Sequence, residues 1–122
     1  MTYNTKDFIE LKLPFKRMLE NESIIINKNK LRISTKLGKK FKQYAYYKIL
    51  FDPQKKLILL KFSSSQMDNS YKITWQGNTG LSSASVLSKQ NIVDPTKRYI
   101  FKPIEYKEDS LLIDISNPTK VE

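Results

Sequence analysis

The chain contains no histidine, no cysteine and only 3 glycines, and no long uninterrupted apolar run. Without histidine there is no Ser-His-Asp triad, no HExxH zinc site and no ordinary general base near neutral pH. Without cysteine there are no disulfides and no thiolate metal sites, which suits a reducing, cytoplasmic setting. A membrane-spanning helix needs about 18 consecutive apolar residues, and none occur. The opening stretch MTYNTKDFIELKLPFKR is broken by Asp7, Glu10 and Lys12, so the apolar centre of a signal peptide is missing. Neither GxxxxGK[ST] nor GxGxxG is present, which removes the glycine cradles that hold nucleotide phosphates.

What remains formally open is Ser-Lys, carboxylate-pair and carboxylate-metal chemistry. Ser85 and Lys89 stand four apart, but no oxyanion-hole glycines accompany them. Asp94-Pro95 reads as a loop turn, and Glu105, Glu108 and Asp109 read as solvated turn residues around Lys107. The expectation is a protein without catalytic residues, metal or cofactor.

The 122 residues are 39% hydrophobic and 28% charged, the make-up of one folded domain rather than a linker or disordered tail. The net charge of +10 is unevenly placed. Residues 1–27 balance, and so do residues 62–122. Residues 28–61 hold ten Lys and Arg32 against Asp52 alone, and therefore carry the whole excess. Such local concentration of one sign is the electrostatic footprint of nucleic-acid binding. Of 22 bases only Arg17, Arg32 and Arg98 are Arg. Lys suits phosphate oxygens, whereas bidentate reading of guanine favours Arg, so backbone affinity is expected to outweigh base readout.

Ile9, Leu11, Leu13 and Phe15 alternate with polar residues and Pro14, which makes residues 1–23 an arm or edge strand. Ile24–Ile26 and Leu31–Ile33 are short strands around Asn27-Lys28-Asn29-Lys30, a tight hairpin. Ser34 is placed to cap a short helix in which Leu37 and Phe41 share one face and Lys36, Lys39, Lys40 and Lys42 surround it. Tyr44–Phe51 and Leu57–Phe62 form a hairpin turning at Asp52-Pro53. Alternation puts Tyr47, Ile49 and Phe51 on one side with Ile58, Leu60 and Phe62, and Tyr44, Tyr46, Lys48 and Lys61 on the other. After a polar loop, Tyr71–Trp75 reads as a strand, with Trp75 in the core. Ser82 or Ser83 is placed to cap a second helix ending near Gln90, and Arg98–Tyr106 with Leu111–Ile115 forms a last hairpin.

The order strand, turn, strand, helix, hairpin thus appears twice, in residues 24–62 and again in 71–115. The expected fold is α+β and β-dominated, with two ββαββ-like halves interlocked into one small barrel-like domain. A helix opened by a small polar residue after a strand resembles the swapped-hairpin family of AbrB- and MazE-type DNA-binding proteins. The chain also resembles small proteins carried by prophages and plasmids of low-GC bacteria. The family's Gly-Arg-(Ile/Val)-x-(Ile/Leu)-Pro stretch is partly matched by Lys30-Leu31-Arg32-Ile33-Ser34, without the Pro. The resemblance implies a dimeric or pseudo-dimeric DNA binder in which basic residues near the helix start, here Arg32 and Lys36, contact the duplex.

The candidate nucleic-acid-binding residues are Lys28, Lys30, Arg32, Lys36, Lys39, Lys40, Lys42, Tyr44, Tyr46, Lys48 and Lys61. DNA is the favoured partner, in an accessory or regulatory protein of a phage or mobile element. A homodimer is compatible with this reading, and no membrane partner is expected. Two alternatives accompany it. The basic patch could dock on an acidic protein, such as a host defence nuclease. The Tyr and Lys residues of the sheet could instead stack and hold a single strand.

Overall fold

A computed structural model describes residues 22–122. The extended segment expected at Ile9–Phe15, and most of the arm, lie outside the described residues. The rest is β-dominated, with two antiparallel sheets and two short helices.

Strand β1 (Ile24–Asn27) and strand β2 (Lys30–Ile33) form the first hairpin, in register Ile24↔Ile33 and Ile26↔Leu31. Lys28 and Asn29 turn the chain with φ of 50° and 66°, the two positive values that a type I′ turn requires. Period-two alternation buries Ile24, Ile26, Leu31 and Ile33 and turns Ile25, Lys30 and Arg32 outward. Helix α1 (Thr35–Phe41) follows at once. Its N-cap is Ser34, as expected: the hydroxyl accepts the N–H groups of Leu37 at 3.5 Å and Ser23 at 3.0 Å. Leu37 and Phe41 are fully buried.

Strands β3 (Tyr46–Asp52) and β4 (Leu57–Ser63) pair Tyr47↔Phe62, Ile49↔Leu60 and Phe51↔Ile58, the facing expected from alternation. Asp52 closes their turn by accepting the N–H groups of Gln54 and Lys55.

The expected strand Tyr71–Trp75 is two strands. Strand β5 (Ser70–Lys72) pairs with β3, and strand β6 (Thr74–Gln76) pairs with β7 (Thr79–Ser83) in the other sheet. The crossing residue is Ile73, buried in the core, with its N–H donated to the Ala45 carbonyl at 2.8 Å. Helix α2 (Ser85–Lys89) ends near Gln90 as expected, but its N-cap is Ala84 rather than Ser82 or Ser83. The last expected hairpin also divides. Strand β8 (Arg98–Phe101) pairs with β1, whereas β9 (Glu105–Tyr106) pairs with β10 (Ser110–Asp114), which pairs with β4. The division falls at Pro103, which has no N–H to donate to a ladder. A short strand β11 (Lys120–Val121) adds to β8.

The six-stranded sheet has the order β11-β8-β1-β2-β7-β6, and the five-stranded sheet β5-β3-β4-β10-β9. Their inner faces share one core of Ile, Leu, Phe and Tyr47, whose hydroxyl donates to the Ser83 carbonyl across the gap. Neither sheet closes on itself, so the body is not the barrel expected. The corners are made where the chain changes sheet at Ile73 and Pro103.

Within the six-stranded sheet β2 and β7 lie side by side, with Lys30↔Ser83 and Ile33↔Gly80. Leu37 and Leu87, fifty apart, are each fully buried in a helix that follows a hairpin. The hairpins differ in register, Ile24↔Ile33 against Thr74↔Leu81, and beyond the helices α1 leads to the five-stranded sheet and α2 to the six-stranded one, so two equivalent ββαββ halves are not seen.

Candidate nucleic-acid interface

Folding distributes the basic segment over three surfaces. Because the two sheets pack inner face to inner face, outward residues of one point away from those of the other. Lys28, Lys30 and Arg32 belong to the outer face of the six-stranded sheet, where β1, β2 and β7, with Arg98 of β8, line a hollow of about 680 Å³. Arg32 stands in a row across that face between Ile25 and Leu81. Lys36, in the first turn of α1, lines a second hollow of about 610 Å³ beyond Ile100 on the same side. Lys39 and Lys42 are exposed at the far end of α1, and Lys40 holds its ammonium 4.8 Å from the centre of the Tyr106 ring. Lys48 and Lys61 are cross-strand partners on the outer face of the five-stranded sheet.

Tyr44 does not point outward with Tyr46. It precedes β3, packs against Phe62 at 6.1 Å between ring centres, and donates its hydroxyl to the Glu108 carbonyl at 3.1 Å. Its carbonyl also accepts the indole N–H of Trp75 at 2.7 Å. The chain is still turning out of the helix at Tyr44, so strand alternation does not yet apply. Tyr46 is left as the outward ring of the pair, beside Lys72 and Ser63. Trp75 packs half-buried against the core, as expected.

Three cations on the six-stranded face come from outside the basic segment. Pairing of β8 with β1 brings Arg98 opposite Asn27, and Lys102 and Lys120 line the second hollow. The signal was present as the alternation Arg98-Tyr99-Ile100-Phe101-Lys102, but adjacent acids cancel these charges in any count along the chain. Seven cations (Lys28, Lys30, Arg32, Lys36, Arg98, Lys102 and Lys120) thus line the two hollows of one face. Glu22 lines the second hollow as well. Glu122 bridges Arg98 at 3.0 Å and Lys120 at 2.9 Å. Those hydrogen bonds, from Lys120 first and Arg98 second, hold its carboxyl below the usual range.

The floor between these cations is apolar, with half-buried Ile25 and Leu81 and buried Ile100. Among the described residues no aromatic ring faces this surface, since Trp75, Tyr99 and Phe101 all join the core. The face can therefore neutralise phosphates, but it offers no platform for stacked bases. Lys28 adds a second peculiarity, being a lysine in the left-handed region where a hairpin turn ordinarily uses Asn, Asp or Gly. Compared with protein-family models, with curated proteins and with solved structures, the chain matches none.

Proposed function

We propose that this protein is a non-enzymatic nucleic-acid-binding protein that holds phosphate on the outer face of its six-stranded sheet. The observation that carries this reading is the convergence of seven cations from both halves of the chain on one concave face. Lys predominates, so affinity comes from the backbone, and duplex DNA is the favoured ligand. Two hairpins each followed by a short helix with a fully buried leucine, Leu37 and Leu87, support internal duplication, and the Ser34-capped helix supports the likeness to swapped-hairpin DNA-binding proteins. A cytoplasmic accessory or regulatory role in a mobile element fits this reading.

Fluorescence anisotropy against duplex DNA, single-stranded DNA and RNA over a salt series tests it. Setting aside Arg98 and Lys120, which are paired to Glu122, about five cations engage, for a log-log slope near −4.5 on duplex. Replacing Lys30, Arg32 and Lys102 by Glu should cost at least tenfold in affinity, whereas K39E/K42E should retain it. Wild-type protein that binds none of the three polymers at low salt refutes the reading. The apolar floor of Ile25 and Leu81 favours a second reading, docking of an acidic protein segment. A captured protein partner that excess duplex does not displace would establish that alternative.

A further inference from the structure

The outer face of the five-stranded sheet is banded. Cross-strand register lays its outward side chains in four parallel rows. Lys72, Tyr46 and Ser63 form the first. The second runs Ser70, Lys48, Lys61, Ser110. The third is Leu50, Leu59, Leu112 and, on β9, Glu105, and the fourth is Asp52, Leu57, Asp114. Cations thus lie on one side of a leucine stripe and carboxylates on the other. Lys48 and Lys61 stand directly opposite each other, a like-charge pairing that weakens a sheet. Among the described residues neither has an acidic partner, and Asp52 and Asp114 form no ion pair. Leu50 is 42% exposed in the middle of this face.

Successive rows are two residues apart along the strands, so the lysine and aspartate rows are about 13 Å apart with the leucines midway. A twofold axis lying along the leucine row exchanges the lysine and aspartate rows. A second copy turned about that axis would place its Asp52 over Lys48 and its Lys48 over Asp52, its Asp114 over Ser110 one strand from Lys61, and leucine over leucine. Sheets stack about 10 Å apart, a gap that a facing Lys and Asp can span. The pattern is self-complementary in the sense an isologous contact requires. It also removes the Lys-Lys conflict, which a monomer leaves standing.

We propose that this face binds a second copy of the same chain, forming a twofold dimer across the Leu50, Leu59 and Leu112 stripe. Five strands about 4.8 Å apart, of 7, 7, 5, 3 and 2 residues, give each copy roughly 400 Å² of flat contact, about half the standard share. The dimer is therefore weak, concentration-dependent and loosened by salt. It leaves the cationic face of the six-stranded sheet open on both copies.

Sedimentation equilibrium over a wide concentration range tests the proposal, with circular dichroism to confirm that each variant is folded. The wild type should pass from monomer to dimer, and K48D/K61D should stay monomeric, since the rows on both sides of the leucines are then acidic. D52N/D114N keeps the oxygens that close the turns but removes the charges, and should weaken the dimer at least tenfold. The decisive arm mixes K48D/K61D with D52K/D114K. Each alone has like charges on both rows and should be monomeric, while the mixture should form a heterodimer. Wild-type protein that stays monomeric at millimolar concentration overturns the proposal. So does K48D/K61D that dimerises like the wild type, or a mixture of folded variants that fails to pair.

Discussion

Gly38 gives the sharpest test of the packing. On helix propensity alone, Gly38→Ala in the middle of α1 should stabilise the protein by about 1 kcal/mol. The tertiary structure reverses that sign. A methyl group built on Gly38 would come 1.5 Å from the Asn78 carbonyl oxygen, 2.6 Å from its carbon and 3.2 Å from Cζ3 of Trp75. The obstacle is backbone in the β6–β7 turn, which has no rotamer by which to retreat. The helix cannot lift away cheaply, because fully buried Leu37 and Phe41 anchor it on either side of the contact. Overpacking of this kind costs about 1–3 kcal/mol, and a rigid neighbour puts the cost at the upper end. Set against the propensity gain, G38A should lose about 2 kcal/mol. In urea, with a slope near 2 kcal/mol/M, the midpoint should fall by about 1 M. Trp75, the only tryptophan, reports on the same contact, so its native emission should also change. A G38A midpoint equal to or above wild type, with unchanged emission, would refute the close approach of α1 to this turn.

Two further outcomes follow from the cationic face. K28N puts a residue that tolerates positive φ where Lys28 has 50°, so the variant should gain about 0.5–1 kcal/mol in a urea melt. The same change should flatten the salt dependence of DNA binding by about one unit, because one phosphate contact is lost. E122Q should tighten binding several-fold in anisotropy titrations, since the carboxylate competes with phosphate for Arg98 and Lys120. Glu122 titrates below its ordinary value of 4.5 in the folded protein, so its pairing holds above that pH and is lost as pH falls through the lowered value. Wild-type β11 should therefore fray on acidification, seen as faster amide exchange at Lys120 and Val121, whereas E122Q should show no such pH step.

Much of this structure follows from periodicities within a few residues. Alternation in Tyr47–Phe51 and Ile58–Phe62 fixes which side chains enter the core, and the observed register agrees. Ser34 ahead of Leu37 and Phe41 is enough to start, cap and seat α1. Backbone and side-chain sterics act over that same short range, which is why the sequence carries these features legibly. Even the exposure of Lys36, Lys39, Lys40 and Lys42 follows from the scarcity of apolar residues to seat the helix.

Assignment of strands to sheets is different in kind. Nothing local at Ile73 says that Tyr71 joins one sheet and Trp75 the other; that depends on β3 and β7 being there to receive them. The same holds for Tyr44, whose inward turn is set by Phe62 and the Glu108 carbonyl. A charge count along the chain placed the whole excess in residues 28–61, yet Arg32 and Lys48 emerge on opposite sides. Arg98 meets Arg32 in one hollow because β8 pairs with β1 across more than seventy residues of chain. Side-chain direction is a property of each strand, and the sequence alone determines it. Which charges become neighbours depends on hydrogen bonding between distant strands and on two sheets sharing one core, and only the tertiary structure decides that.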